Sequence, residues 1–148
     1  MFDKLFANAK ASIKGGKDFS KINGDVYFKQ TSKGVIVTAE IYNLPTSSKP
    51  CESKTFGFHI HAGTSCTGDK EDEFKNALGH YNPNKCKHPH HAGDLPPLFE
   101  NNGYAYLSFL TNRFNVDDVI GKVVIIHSNP DDFTTDPSGN SRQKNCMW

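Results

Sequence analysis

The chain has 148 residues, the usual size of one compact domain, so 1–148 is expected to fold as a single unit. Its 17 basic and 16 acidic side chains leave a formal charge of +1, without the basic excess of a polyanion-binding surface, and no nucleic-acid partner is expected. Mean hydropathy is −0.59, and no apolar run approaches the roughly 18 residues of a membrane span, so no membrane partner is expected either.

The N-terminal stretch MFDKLFANAK mixes charged with apolar residues and lacks a secretory apolar core, which places the chain, as an expectation, in the cytoplasm. Gly24–Gln30 then alternates Val26 and Phe28 against Tyr27 and Lys29. Gly34–Leu44 alternates Val35, Val37, Ala39 and Ile41 against Ile36, Thr38, Glu40 and Tyr42. Period two over such lengths predicts half-buried strands, and the Thr31-Ser32-Lys33-Gly34 turn between them predicts a hairpin. Phe56–His61 continues the pattern, with Phe56, Phe58 and Ile60 opposed to Gly57, His59 and His61; Tyr104–Leu110 and Lys122–His127 are the later strands. The one helical suggestion, Asp69–Leu78, has no convincing apolar stripe. The long stretch between His61 and Gly103 carries little periodicity, and Ser128–Asn145 is a second irregular segment. Loops of such length in a compact domain are usually functional or disordered, and the first is rich in His, Asn, Pro and Gly, unlike a disordered tail.

All seven histidines lie between positions 59 and 127. Residues i and i+2 of a strand share a face, so His59 and His61 converge on one side. Neutral imidazole suits copper and zinc alike. A lone His-x-His is a weak signal, but here four loop histidines (His80, His88, His90, His91), Asp94 and the strand-end His127 accompany it. The four cysteines, Cys51, Cys66, Cys86 and Cys146, lack the close pairing of a zinc finger, and on residues alone both free thiols and a disulfide stay open.

The segments GFHIH, GHYNP, HHAGDL and VVIIHSNPDD resemble, in order, the metal-site motifs of the copper-zinc superoxide dismutases, and the likeness runs from about Gly24 onward. It is nearest to bacterial-type members with a shortened second loop. The resemblance implies an all-β fold, an eight-stranded antiparallel Greek-key barrel or sandwich carrying two long functional loops. It implies copper and zinc as cofactors, superoxide as substrate and dismutation to oxygen and hydrogen peroxide as the reaction. His59, His61, His80 and His127 match the copper ligands; His80, His88, His91 and Asp94 match the zinc ligands, with His80 shared. His90 has no counterpart, although a one-residue exchange with His91 is the alternative register. Asp131 matches a carboxylate that orients one ligand histidine on each metal.

Four imidazoles form the nitrogen set that copper(II) favours, and three imidazoles with one carboxylate form the tetrahedral set of zinc. Two divalent ions, less the His80 imidazolate and the Asp94 carboxylate, total +2. An electron gained at copper with a proton gained by His80 leaves that total unchanged, so superoxide meets the same attraction in both half-reactions.

The resemblance further implies a disulfide between Cys66 and Cys146, and an anion-guiding cation in GNSRQKNC. Spacing favours Lys144 for that role, while the planar guanidinium fork favours Arg142; Ser138 matches a small hydroxyl of the same channel. The resemblance also implies a homodimer, but the chain stops at Trp148, cutting short the strand that usually helps to form it, so the assembly stays open. The alternative function is a copper- and zinc-binding protein of the same fold with little turnover, which would follow from a missing copper ligand.

Overall fold

The computed structural model describes residues 5–135 and the backbone of 144–145. Nine antiparallel strands are present among them: β1 (Ala9–Lys14), β2 (Asn23–Thr31), β3 (Gly34–Tyr42), β4 (Thr55–Phe56), β5 (Phe58–His61), β6 (Leu98–Phe99), β7 (Ala105–Thr111), β8 (Val123–His127) and β9 (Lys144–Asn145). They form a four-stranded sheet β1-β2-β3-β7, a two-stranded pair β4-β6 and a three-stranded sheet β5-β8-β9. Among the described residues helix is confined to single turns, including Lys75–Ala77 inside the stretch where the sequence only hints at one. Among the described residues, no helix is long and apolar enough to cross a membrane.

The expected hairpin is present. β2 and β3 pair in one register from Asn23↔Tyr42 to Thr31↔Gly34. At its turn the Thr31 hydroxyl donates to the Gly34 carbonyl at 2.8 Å. Gly34 has φ +137°, and a Cβ there would lie 2.3 Å from the Thr111 carbonyl oxygen, so the turn needs glycine both for its backbone conformation and for its approach to β7. The inward set read from the sequence, Val35, Val37, Ala39 and Ile41, is fully buried, and Thr38 of the opposing set is buried as well. They meet Phe58, Ile60, Val124 and Ile126 from the opposite sheet in the main core.

Two departures from the sequence reading matter for the site. The expected strand Phe56–His61 is broken at Gly57, whose N–H donates to the Asn129 carbonyl while its own carbonyl accepts from the His127 N–H at 2.8 Å. β4 therefore pairs with β6, and β5 pairs with β8. β1, which the sequence reading omits, covers the edge of β2 from Ala9↔Phe28 to Lys14↔Asn23.

Candidate metal centre

β5 and β8 each serve two surfaces. Phe58↔Ile126 and Ile60↔Val124 turn into the main core, while His59↔Ile125 and His61↔Val123 turn to the other face. His127, two residues beyond Ile125, shares that second face by strand alternation. There Val123 and Ile125 join Phe74 and Ala77 in a smaller apolar cluster under the long loop, with Cys66 packed against it.

The long loop is laid along the free edge of β5. The Ile60 N–H donates to Gly93, the Tyr81 N–H donates to Ile60, and the Gly93 N–H donates to Tyr81, each at 2.8 Å. A Cβ on Gly93 would fall 2.2 Å from the Ile60 carbonyl oxygen, so only glycine lets the backbone come this close. This edge pairing carries His80 and Asp94 to the two strand histidines, with isolated bridges His61↔His80 and His59↔Asp94.

Three groups of ligand-type atoms result, in each of which the atoms lie within 4.8 Å of one another: His59, His61, His80 and His127; His80, His88, His91 and Asp94; and His59, His88 and Asp131. His80 belongs to the first two groups. Its ring stacks on His59 at 4.1 Å and meets His61 edge-on at 4.9 Å. Its Nδ1 lies 2.7 Å from Asp94 Oδ1 and 3.3 Å from His91 Nδ1. The other Asp94 oxygen, Oδ2, lies 3.0 Å from His88 Nδ1 and accepts from the His91 backbone N–H at 2.9 Å.

The tautomers follow from what each ring donates. His61 gives its Nδ1–H to the Leu78 carbonyl at 2.7 Å, which leaves Nε2 as a lone-pair donor, 3.4 Å from His127 Nε2. His59 gives its Nε2–H to Asp131 Oδ2 at 2.6 Å, so its Nδ1 carries the lone pair. That Nδ1 is buried without a hydrogen-bond partner. Buried polar atoms are normally satisfied, and a lone pair left this way suits a metal ion.

The electrostatics agree with that assignment. Burial holds the His61 imidazole well below its ordinary value, and the facing His127 and His80 rings push the same way. Burial lowers His59 too, against the opposing pull of Asp131. Both rings are therefore kept in the neutral form that a metal requires. Burial alone would raise the Asp131 carboxyl, but its hydrogen bonds with His59, Phe133 and His88 outweigh that and hold it far below the usual carboxylate range. Asp94 is lowered on balance as well, because its contact with His80 and the facing His88 and His91 rings overcome its burial.

His90 is exposed and belongs to none of the three groups, whereas His91 is buried within one. Cys51 and Cys86 are free thiols. Ser138, Arg142 and Cys146 lie outside the described residues, and of Lys144 only the backbone is described, paired with His127 across β8 and β9. The Leu78 carbonyl, which fixes the His61 tautomer, is a contribution the sequence reading misses. No side-chain signal could have revealed it, because the backbone makes it.

The family model described as copper/zinc superoxide dismutase matches residues 22–146 of this chain. A Cu-Zn superoxide dismutase of Legionella pneumophila is 35% identical over 121 residues, covering 77% of this chain and 68% of that protein. A Cu-Zn superoxide dismutase of Aquifex aeolicus is 34% identical over 130 residues, covering 78% and 72%. Among solved structures, the Cu/Zn superoxide dismutase from Brucella abortus superposes with a TM-score of 0.76 at 20% identity, covering 94% of this chain and 96% of that one, and bears on the fold alone. A superoxide dismutase-like protein from Bacillus subtilis superposes with a TM-score of 0.73 at 26% identity, covering 95% and 97%.

Proposed function

Because the chain belongs to the copper/zinc superoxide dismutase family, we propose that its two fused ligand groups hold one copper and one zinc for that family's reaction. Two superoxide anions and two protons become one dioxygen and one hydrogen peroxide. His59, His61, His80 and His127 hold the copper; His80, His88, His91 and Asp94 hold the zinc. When bound, copper supplies a one-electron redox couple, and zinc is a redox-silent Lewis acid.

The observation that carries this reading is the single ring, His80, common to both groups. Its Nδ1 is turned to Asp94 and His91, which leaves Nε2 for the copper side. A ring serving two ions must lose both protons. Its Nε2 would be the atom able to hold and release a proton, while its Nδ1 would stay with the zinc-side residues Asp94 and His91. Asp131 holds the His59 and His88 rings at their Nε2 atoms, at 2.6 and 2.7 Å, and so couples the orientation of one ligand on each side.

The finer assignments are also ours. Cys66 pairs with Cys146; in support, Cys66 is the one described cysteine that is not a free thiol. Lys144 guides the anion, with Arg142 as the alternative; in support, the Lys144 backbone sits opposite His127 in the register of β8 and β9. A protein of this fold with little turnover would be the reading if a copper ligand were replaced, and all four are histidine here.

Metal analysis and a dismutation assay on one reconstituted sample test the proposal. One copper and one zinc per chain, with activity that vanishes when copper alone is withheld, is the expected result. Zinc alone at saturation would overturn the copper assignment.

A further inference from the structure

We propose that Arg113 is a positioning residue for the zinc ligands, a reading that rests on the ligand assignment above. Its backbone belongs to the scaffold. It lies two residues beyond the end of β7, its N–H donates to Thr111 Oγ1 at 3.3 Å, and the next residue, Phe114, is buried in the main core edge-on to Phe28. Two residues further on, the Val116 N–H is held by Gln30 Oε1 of β2 at 2.9 Å.

From this anchored base the side chain crosses to the long loop. Nη1 donates to the Pro89 carbonyl at 2.9 Å and lies 3.3 Å from the carbonyl oxygens of both His91 and Asp94. Those three carbonyls belong to the residue after His88, to His91 and to Asp94. One guanidinium nitrogen thus reaches the backbone beside three of the four zinc-group residues, His88, His91 and Asp94.

The turn it grips is also secured from within and from β5. Within the turn, the Asp94 N–H donates to the His91 carbonyl at 3.1 Å, and the inner face is stitched to β5 through Gly93. The outer face is tied by Arg113. Nη1 carries two N–H groups fixed in the guanidinium plane, so at least one is shared between two of the three carbonyls, a set of directions that a freely rotating ammonium would not fix. A residue that merely saturated loop carbonyls would support the fold equally with and without metal. A residue that sets the His88–His91–Asp94 spacing acts on zinc.

The discriminating experiment compares the full chain with Arg113→Met, which keeps an apolar stem without donors, and Arg113→Lys, which keeps the charge without the fork. Zinc affinity is measured by competition with a chelator. The geometry at the zinc position is read from the visible absorption of cobalt(II) bound there, and stability from the thermal midpoint of the metal-free chain. Arg113→Met should bind zinc about tenfold more weakly, the low end for groups that support a ligand shell, with an altered cobalt spectrum and an unchanged metal-free midpoint. Arg113→Lys should recover only part of the affinity.

Parental affinity and spectrum in Arg113→Met would overturn the proposal, as would a metal-free midpoint that falls in step with affinity. If Arg113→Met does not fold, Arg113→Lys decides, since parental affinity there sinks the argument from the fork. If the unsubstituted chain takes up no zinc, the fault lies in the ligand assignment and not in Arg113.

Discussion

Replacing Asp131 with alanine tests whether the two ligand groups are held by one carboxylate. The side chain is 2% exposed and accepts from His59 Nε2 at 2.6 Å and from His88 Nε2 at 2.7 Å. Asp131→Ala removes both acceptors and leaves two buried imidazole N–H groups unsatisfied, in rings assigned to different ions. A hydrogen bond to a charged group contributes about 1.5–3 kcal/mol. One such bond is lost on each side, and about 1.4 kcal/mol is a factor of ten. Each metal should therefore bind roughly 10- to 100-fold more weakly, in line with the usual cost of losing a group that orients a ligand. Chelator competition, run separately for copper in zinc-loaded protein and for zinc in copper-free protein, measures the two losses. A variant that loses affinity for one metal and keeps parental affinity for the other would refute the shared-carboxylate argument.

Three further outcomes follow from the same geometry. His127→Ala should abolish dismutation while metal analysis still finds zinc, whereas Asp94→Ala should weaken zinc and leave some activity at neutral pH; equal loss of both metals in both variants would contradict the division of ligands. A non-reduced digest should yield a Cys66–Cys146 linked peptide, and opening so long a loop should cost about 4–5 kcal/mol in the chain-entropy model; alkylation of both thiols in active native protein would exclude the bridge. Lys144→Ala should lower the dismutation rate several-fold at low salt and flatten its dependence on ionic strength, because exposed charges are screened over about 10 Å at 0.1 M. A larger loss in Arg142→Ala would move the guiding role to that residue.

What the sequence shows of this protein divides along physical lines. β2 and β3 are legible because they are long, rich in branched apolar residues and backed by one core, so the inward set from Val35 to Ile41 is buried, with only Thr38 of the outward set buried beside it. β1 is not, because alanine, lysine and serine have little strand preference of their own and AKASIK becomes a strand by pairing with β2. The break at Gly57 is equally hidden, since the hydrogen bonds that divide β4 from β5 come from Asn129 and His127, far along the chain. The helical turn Val116–Val119 escapes a periodicity search because it is too short for one, though Asn115 and Asp118 mark its start, the Asn115 N–H donating to the Asp118 carboxylate at 2.8 Å. The ligand-type residues stand out by residue type, and the spacing of HHAGD favours His91 over His90, as does the burial of the one and the exposure of the other. Arg113 and the Leu78 carbonyl act through or upon the backbone, where sequence leaves no such mark.

The two-sided use of β5 makes the protein sensitive to an error in strand alignment. Phe58 and Ile60 fill the core while His59 and His61 face the loops. A slip of one residue against β8 would reverse every side chain. It would drive two imidazoles into hydrocarbon and turn a phenylalanine and an isoleucine toward Asp131 and His80. Burying polar rings without partners is costly, so the core alone disfavours the misaligned chain. The slipped chain also cannot assemble the ligand groups, so any ion captured late in folding stabilises only the correctly aligned form. Metal uptake would then act as a check on folding fidelity as well as a requirement for activity.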